Sequence, residues 1–174
     1  FPSAGATVHL IPGNHDINPE SKTAADALAR LQHYRTTFAS HDYGAFRTKF
    51  ASFVTINSEF LLLPYLGLNG THAHPNVSAE VDAQWKWIER ALTDAKASGA
   101  PHTVLVMHHP PFLHTEDEAE QYFNWPVEPR KRILSLAQLA TPLRLEATLA
   151  VAARLVARTP AARPRAVPPY PLLE

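Results

Sequence analysis

Two short clusters carry residue types that can hold a cation and meet an anion. One is Gly13-Asn14-His15-Asp16, directly after an apolar run at residues 8–11. The other is His108-His109-Pro110-Pro111, directly after a second run at residues 103–107. An imidazole nitrogen or an amide oxygen can ligate a divalent metal, and a carboxylate next to a histidine can fix its orientation. A lone histidine in such a place is ordinarily a surface or helix-cap residue. Two clusters, each at the exit of an apolar run, favour a metal site, because strand ends are where a rigid sheet presents side chains to a ligand. The chain contains no cysteine, so thiolate ligands and disulfides are excluded, and any metal must be held by His, Asp, Asn and water.

The elements that must position these clusters follow from periodicity. Residues 7–11 read as a buried strand, and 12–22 as a loop rich in Pro, Gly, Asn and Ser. Thr23 and Asp26 have the spacing of a capping box and predict a helix from 24 to about 38. Its apolar face is Leu28, Leu31, Tyr34 and Phe38, which leaves His33 toward solvent. Residues 45–50 and 52–57 read as paired strands. Asn57, at the end of the second, is either at the edge of the site or a plain turn cap. Residues 59–76 read as a long connection containing Leu61, Leu62 and Leu63. His72 and His74 in it could share a metal, but a loop surface is the plainer reading. Ser78 is expected to cap a helix running to about Ser98 and closed by Gly99. Val81, Trp85, Ile88 and Leu92 form its buried stripe, with Trp87 off the stripe and against the Leu-rich connection. The near-continuous apolar run at 102–107 suits a central strand covered on both faces. Pro110 and Pro111 cannot continue a ladder, so they eject the chain there. The acidic run from Glu116 to Glu120 reads as a solvated face, or alternatively as a site for a further cation. Pro129 suits the first turn of another helix. This order gives an α/β fold.

Sixteen Lys and Arg balance 16 Asp and Glu, with a pI near 7.3, so no basic surface for nucleic acid is implied. No apolar run is long enough to span a membrane, so no membrane partner is expected. The compartment stays open, with the cytoplasm favoured. The opening Phe1-Pro2, without Met, reads as an internal start. Composition shifts at residue 141. Residues 1–140 form the candidate domain, and 141–174 an Ala-, Arg- and Pro-rich tail. Residues 142–158 could form an Ala-rich helix. The prolines at 160, 164, 168, 169 and 171 predict disorder from about 159.

Ile11-Pro12-Gly13-Asn14-His15-Asp16 resembles the GNHD motif of the calcineurin-like metallophosphoesterases. Residues 104–110, ending in His108-His109-Pro110, resemble the later strand and histidine motif of that superfamily. Asn57-Ser58, Gln84-Trp85 and Tyr122-Phe123-Asn124 look like the subgroup typified by the calcineurin-like phosphoesterase domain-containing protein 1. The resemblance covers roughly residues 5–137. It implies part of an α/β/β/α β-sandwich flanked by helices. The family's opening Asp-x-His and Gly-Asp strand ends and its closing Gly-His-x-His do not occur in the 174 residues.

In the intact family two divalent ions (Mn, Fe or Zn) clamp a phosphate ester while a hydroxide attacks phosphorus in line. By resemblance Asn14 is a metal ligand through its amide oxygen and His108 is a metal ligand two residues before Pro110. His15 contacts the phosphoryl oxygens and aids the leaving group, and Asp16 holds the His15 ring. His109 takes the variable position and is given no metal role. The implied function is metal-dependent hydrolysis of a phosphomonoester or phosphoprotein. Two ligands without a bridging carboxylate predict weak metal binding and impaired turnover. The alternative is a non-catalytic remnant that binds a metal or partner weakly. The sequence does not indicate an oligomeric state.

Overall fold

The computed structural model describes residues 7–17, 23–38, 41–65 and 75–140. Its elements in chain order are α1 (Asn14–Ile17), α2 (Ala24–Phe38), β1 (Gly44–Arg47), β2 (Ala51–Thr55) and α3 (Ser58–Leu62). A 3₁₀ turn (Leu63–Tyr65), α4 (Pro75–Ala97), β3 (His102–Val106) and α5 (Val127–Ala140) complete them. The result is a mixed α/β structure consistent with part of a metallophosphoesterase fold. The expectations for His72, His74 and residues 141–174 lie outside the described residues.

The three strands lie in the order β1-β2-β3. β1 and β2 are antiparallel, with Gly44 opposite Thr55 and Arg47 opposite Ser52. Thr48 closes the connection: its N–H donates to Ala51 O, and its Oγ1 accepts from Ala51 N. β2 and β3 are parallel, with Ala51 beside His102 and Thr55 beside Val106. A parallel pair needs a long crossover, and here that crossover includes α3 and α4. Because the strands are parallel and in register, their carboxyl ends fall side by side. Ile56 N donates to Val106 O at 2.9 Å, just beyond the last paired residues.

α2 forms as its capping box dictates. Thr23 N donates to Asp26 Oδ2 at 3.0 Å, and Asp26 N donates to Thr23 Oγ1 at 3.2 Å. Leu31 and Tyr34 are buried, Leu28 is partly buried, and Phe38 is exposed. His33 faces solvent. α4 buries Val81, Trp85, Ile88 and Leu92, and extends the stripe to Val77, Gln84, Ala91 and Ala95. It begins at Pro75, three residues before the expected Ser78 cap. Proline suits a first helical position, where the missing N–H costs nothing. Gly99, at φ 69°, ends the run in a backbone conformation that a side chain would oppose.

Three local expectations are revised. Residues 7–11 do not form a strand, and Val8 and Leu10 are exposed. Among the described residues none lies alongside to share a ladder, and an unpaired segment does not become a strand. His9 instead stacks on Phe46, ring centroids 3.7 Å apart. β3 is the outer strand of the described sheet and only half-buried, rather than central and doubly covered. The connection after β2 is not a loop at its start. Residues 58–65 are helical, and Phe60, Leu61, Leu62 and Leu63 are core residues. Burying so many apolar side chains also buries their backbone, whose donors must then be satisfied by a helix. Trp87 stacks at a tilt on Tyr43, ring centroids 4.8 Å apart, and packs against the core cluster.

None of the described helices is long and apolar enough to cross a membrane.

Candidate metal centre

The site lies where the ends of β2 and β3 meet the turn before α1. Asn57 is the pivot on the β2 side, and the structure makes it a cap. Its Oδ1 accepts from Phe60 N at 3.0 Å, and its Nδ2 donates to Asp42 Oδ2 at 2.8 Å. Gln84 of α4 clasps its backbone, accepting from Asn57 N at 2.8 Å and donating to Asn57 O. Asp42 is tied in turn to Arg35 of α2, which also reaches Glu80 of α4. This buried network fixes the first turn of α3, and with it Ser58 and Glu59.

The β3 side delivers His108 and His109. The His109 N–H donates to Ser58 Oγ at 3.4 Å, and the His109 carbonyl accepts from Trp125 Nε1 at 2.7 Å. His108 extends toward the turn before α1. Its Nε2 lies 3.0 Å from Asn14 Oδ1, joining positions 94 residues apart. Asn14 Nδ2 donates to Tyr122 Oη at 2.9 Å, so the amide presents its oxygen to His108. Glycine at position 13 lets the His108 ring approach the turn closely. A Cβ on Gly13 would sit 3.3 Å from His108 Cε1, closer than most such contacts.

Glu59, His108 and His109 each offer a ligand atom, and all three atoms lie within 4.8 Å of one another. Glu59 is a charged-type side chain at 1% exposure, while His108 is exposed and His109 intermediate. Glu59 Oε1 accepts from Ser58 Oγ at 3.0 Å and lies 3.1 Å from His109 Nδ1. Burial pushes the Glu59 carboxyl up to about 7, against the opposing pull of hydrogen bonds from Ser58 and the His109 backbone. Burial, with His108 alongside, lowers the pKa of His109. The contact between His109 Nδ1 and Glu59 Oε1 is a full ion pair only when His109 is protonated.

The structure thus brings Asn14 and His108 into contact. It does not bring Asp16 to the His15 ring. Asp16 Oδ2 accepts from Gly13 N at 2.8 Å, and Asp16 N donates to Gly13 O at 3.1 Å, so its contacts close the turn. His15 is exposed on α1. The sequence does not single out Glu59, which lies in an apparent loop ahead of an apolar Phe-Leu-Leu-Leu run, and gives His109 no metal role; the structure places both beside His108. The acidic run is not a uniform solvated face either. Glu118 accepts from Leu113 N, His114 N and Thr115 N, and from Asn124 Nδ2. A separate cavity of about 330 Å³ between β1, β2 and α4 shares no lining residue with this site.

The sequence model for "Calcineurin-like phosphoesterase" matches residues 1–133. The chain belongs to the calcineurin-like phosphoesterase family. A relative described as "Serine/threonine-protein phosphatase CPPED1" from Rattus norvegicus is 28% identical over 115 residues, covering 66% of this chain and 32% of the relative. The Mus musculus protein of the same description is 26% identical over 124 residues, covering 71% and 35%. The Pongo abelii protein is 27% identical over 127 residues, with the same coverage as in the mouse. The chain therefore spans about a third of the length of the curated relatives it matches. No solved structure matches it.

The family uses divalent metals, and the residues present fit one such ion. Two imidazoles and a carboxylate, those of His108, His109 and Glu59, are a donor set that suits a divalent metal. Ligands bound at about 2.1 Å lie roughly 3 to 4 Å apart, close to the 3.0 Å between Asn14 Oδ1 and His108 Nε2. A bridged pair of ions requires further carboxylates to offset the adjacent charges.

Proposed function

We propose that this chain carries a metal-dependent site for hydrolysis of phosphate esters. The observation that supports it best is the contact between Asn14 of the first motif and His108 of the second. In this reading Asn14 and His108 are metal ligands. A divalent ion supplies charge neutralisation of the phosphoryl oxygens and activation of water. Tyr122 orients the Asn14 amide, so that the oxygen and not the nitrogen faces the ion. His15, exposed beside Asn14, meets the phosphoryl oxygens and gives a proton to the leaving group. Asp16 acts through the turn it closes, holding the backbone that carries His15. The substrate class is a phosphomonoester or a phosphoprotein. The description of the mammalian relatives as serine/threonine-protein phosphatases favours phosphoserine and phosphothreonine. A cytoplasmic setting belongs to the same reading.

Turnover is expected to fall well below that of an intact relative, since the donor set serves one ion rather than two. The test is hydrolysis of 4-nitrophenyl phosphate and of a phosphothreonine peptide by the 174-residue chain, with Mn²⁺ or Zn²⁺ and with chelator. Metal-dependent release of phosphate, lost in Asn14→Ala and His108→Ala, supports the reading. Release unaffected by chelator or by His108→Ala refutes it. An absence of turnover in every condition favours the second reading, in which these 174 residues bind a metal or partner weakly without catalysis.

A further inference from the structure

We propose that Glu59 and His109 are direct ligands of the ion held by His108, making a two-histidine, one-carboxylate site anchored from beneath by α3. This goes beyond the roles of Asn14 and His108 in the preceding reading, and it adds an anion to a set that otherwise has none.

The argument starts from burial. A carboxylate at 1% exposure is costly unless a donor set or a cation compensates it. Arg130, also buried, is spent on the backbone oxygens of Trp125, Glu116 and Glu118. Arg35 is spent on Asp42 and Glu80. Facing Glu59 are a serine hydroxyl and two imidazoles. No Lys or Arg among the described residues forms an ion pair with it. The geometry is the second point. The three ligand atoms lie within 4.8 Å of one another, and small side-chain rotations bring such atoms to the roughly 3 to 4 Å spacing of groups sharing one ion. The rings of His108 and His109 are inclined by 46°, with centroids 4.7 Å apart, so they are not stacked flat and their nitrogens can converge.

The third point is the support behind each ligand. A ligand is held in place by partners on its other atoms. Glu59 has Ser58 Oγ, and the backbone of His109 is pinned by Ser58 and Trp125. Asn57, capped and clasped by Gln84, fixes the helix that carries Glu59. Asn14 then closes the site from the α1 side as a fourth, neutral ligand, and the exposed edge of His108 leaves that face open to solvent.

The test is titration of the metal-stripped 174-residue chain with Co²⁺, followed by visible absorption and by calorimetry. One Co²⁺ per chain is expected. Glu59→Gln and His109→Asn should each weaken binding by more than about 100-fold and alter the Co²⁺ spectrum. That exceeds the roughly 10- to 100-fold expected for a residue that only supports a ligand. His33→Asn, on the solvent face of α2, should bind as the parent does. If Glu59→Gln does not fold, as judged by circular dichroism, Glu59→Asp takes its place and should retain Co²⁺ with a shifted spectrum. Wild-type affinity and spectrum in Glu59→Gln overturn the proposal. So does a loss within 100-fold with the spectrum unchanged, and so does failure of the parent chain to bind Co²⁺. If Asn14→Ala loses the ion while Glu59→Gln keeps it, the preceding reading stands and this one falls.

Discussion

Two glutamates separate the working end of this molecule from its scaffolding. Glu118 lies in the segment after β3 with its carboxylate surrounded by donors, and the Asn124 side chain and the Leu113 N–H, followed by those of His114 and Thr115, hold it down to about 2. Glu59 lies in the first turn of α3, beyond β2, more deeply buried and with fewer donors, and is held up at about 7. The same functional group is thus driven in opposite directions. Where donors outnumber the desolvation cost, a carboxylate is a fastener for the backbone. Where burial wins, it is a site that still needs positive charge, and perturbed groups of that kind gather where chemistry happens.

The comparison breaks most visibly at Arg130, which ties the Glu118 segment to α5. Its guanidinium is buried and donates to three backbone carbonyls, those of Trp125, Glu116 and Glu118. Arg130→Met leaves those oxygens unpaired, and should destabilise the chain by about 3 to 5 kcal/mol in urea denaturation. A cost below about 1 kcal/mol would mean that this segment is not held as described.

The pH dependence sharpens the contrast, because the two carboxylates act with opposite sign. The folded pKa of Glu59 lies above the ordinary 4.5, so the folded chain keeps a proton the unfolded chain releases. Its contribution is fully present below about 4.5 and is lost as pH rises through about 7. The full effect is at most about 3 kcal/mol in the metal-free chain. Glu59→Gln should flatten that decline, measured as unfolding free energy between pH 4.5 and 8. Glu118 has a depressed pKa, so its contribution is present above 4.5 and is lost as pH falls toward 2. Glu118→Gln should remove that acid-side loss and leave the other window unchanged. Identical profiles for the parent and both variants would erase the distinction.

A smaller change tests the site's geometry without touching a ligand. Gly13→Ala places a methyl 3.3 Å from the His108 ring, which must give by a few tenths of an ångström. Co²⁺ affinity should drop about tenfold with little change in stability, since misplaced ligands cost binding before they cost folding. The smallest effect is expected from Tyr122→Phe. It removes the acceptor that orients the Asn14 amide at an exposed position. A loss of a few-fold in Co²⁺ affinity, worth less than about 1 kcal/mol, fits a single exposed hydrogen bond. A loss as large as that from Asn14→Ala would make Tyr122 part of the ligand set itself.

Much of this was legible from the chain alone. The capping box at Thr23 and Asp26 and the α4 stripe are local patterns, and local patterns survive into structure because backbone geometry imposes their period. The two motifs carried the family in the same way, as short runs of fixed residue types. Tertiary structure decided the rest. Residues 8–11 look like a strand, but a strand exists only through its neighbour, and none of the described residues supplies one. Residues 58–65 look like a loop, yet the core took their leucines and forced a helix. The pairing of Glu59 with His109 depends on β2 and β3 running parallel and in register, and that of Asn14 with His108 on where α1 packs against α2 and α3. Nothing in the spacing of residues 14, 59 and 108 encodes that distance. The residue types set which chemistry was available, and only the folded register, a property of long-range hydrogen bonding and packing, set which of them meet.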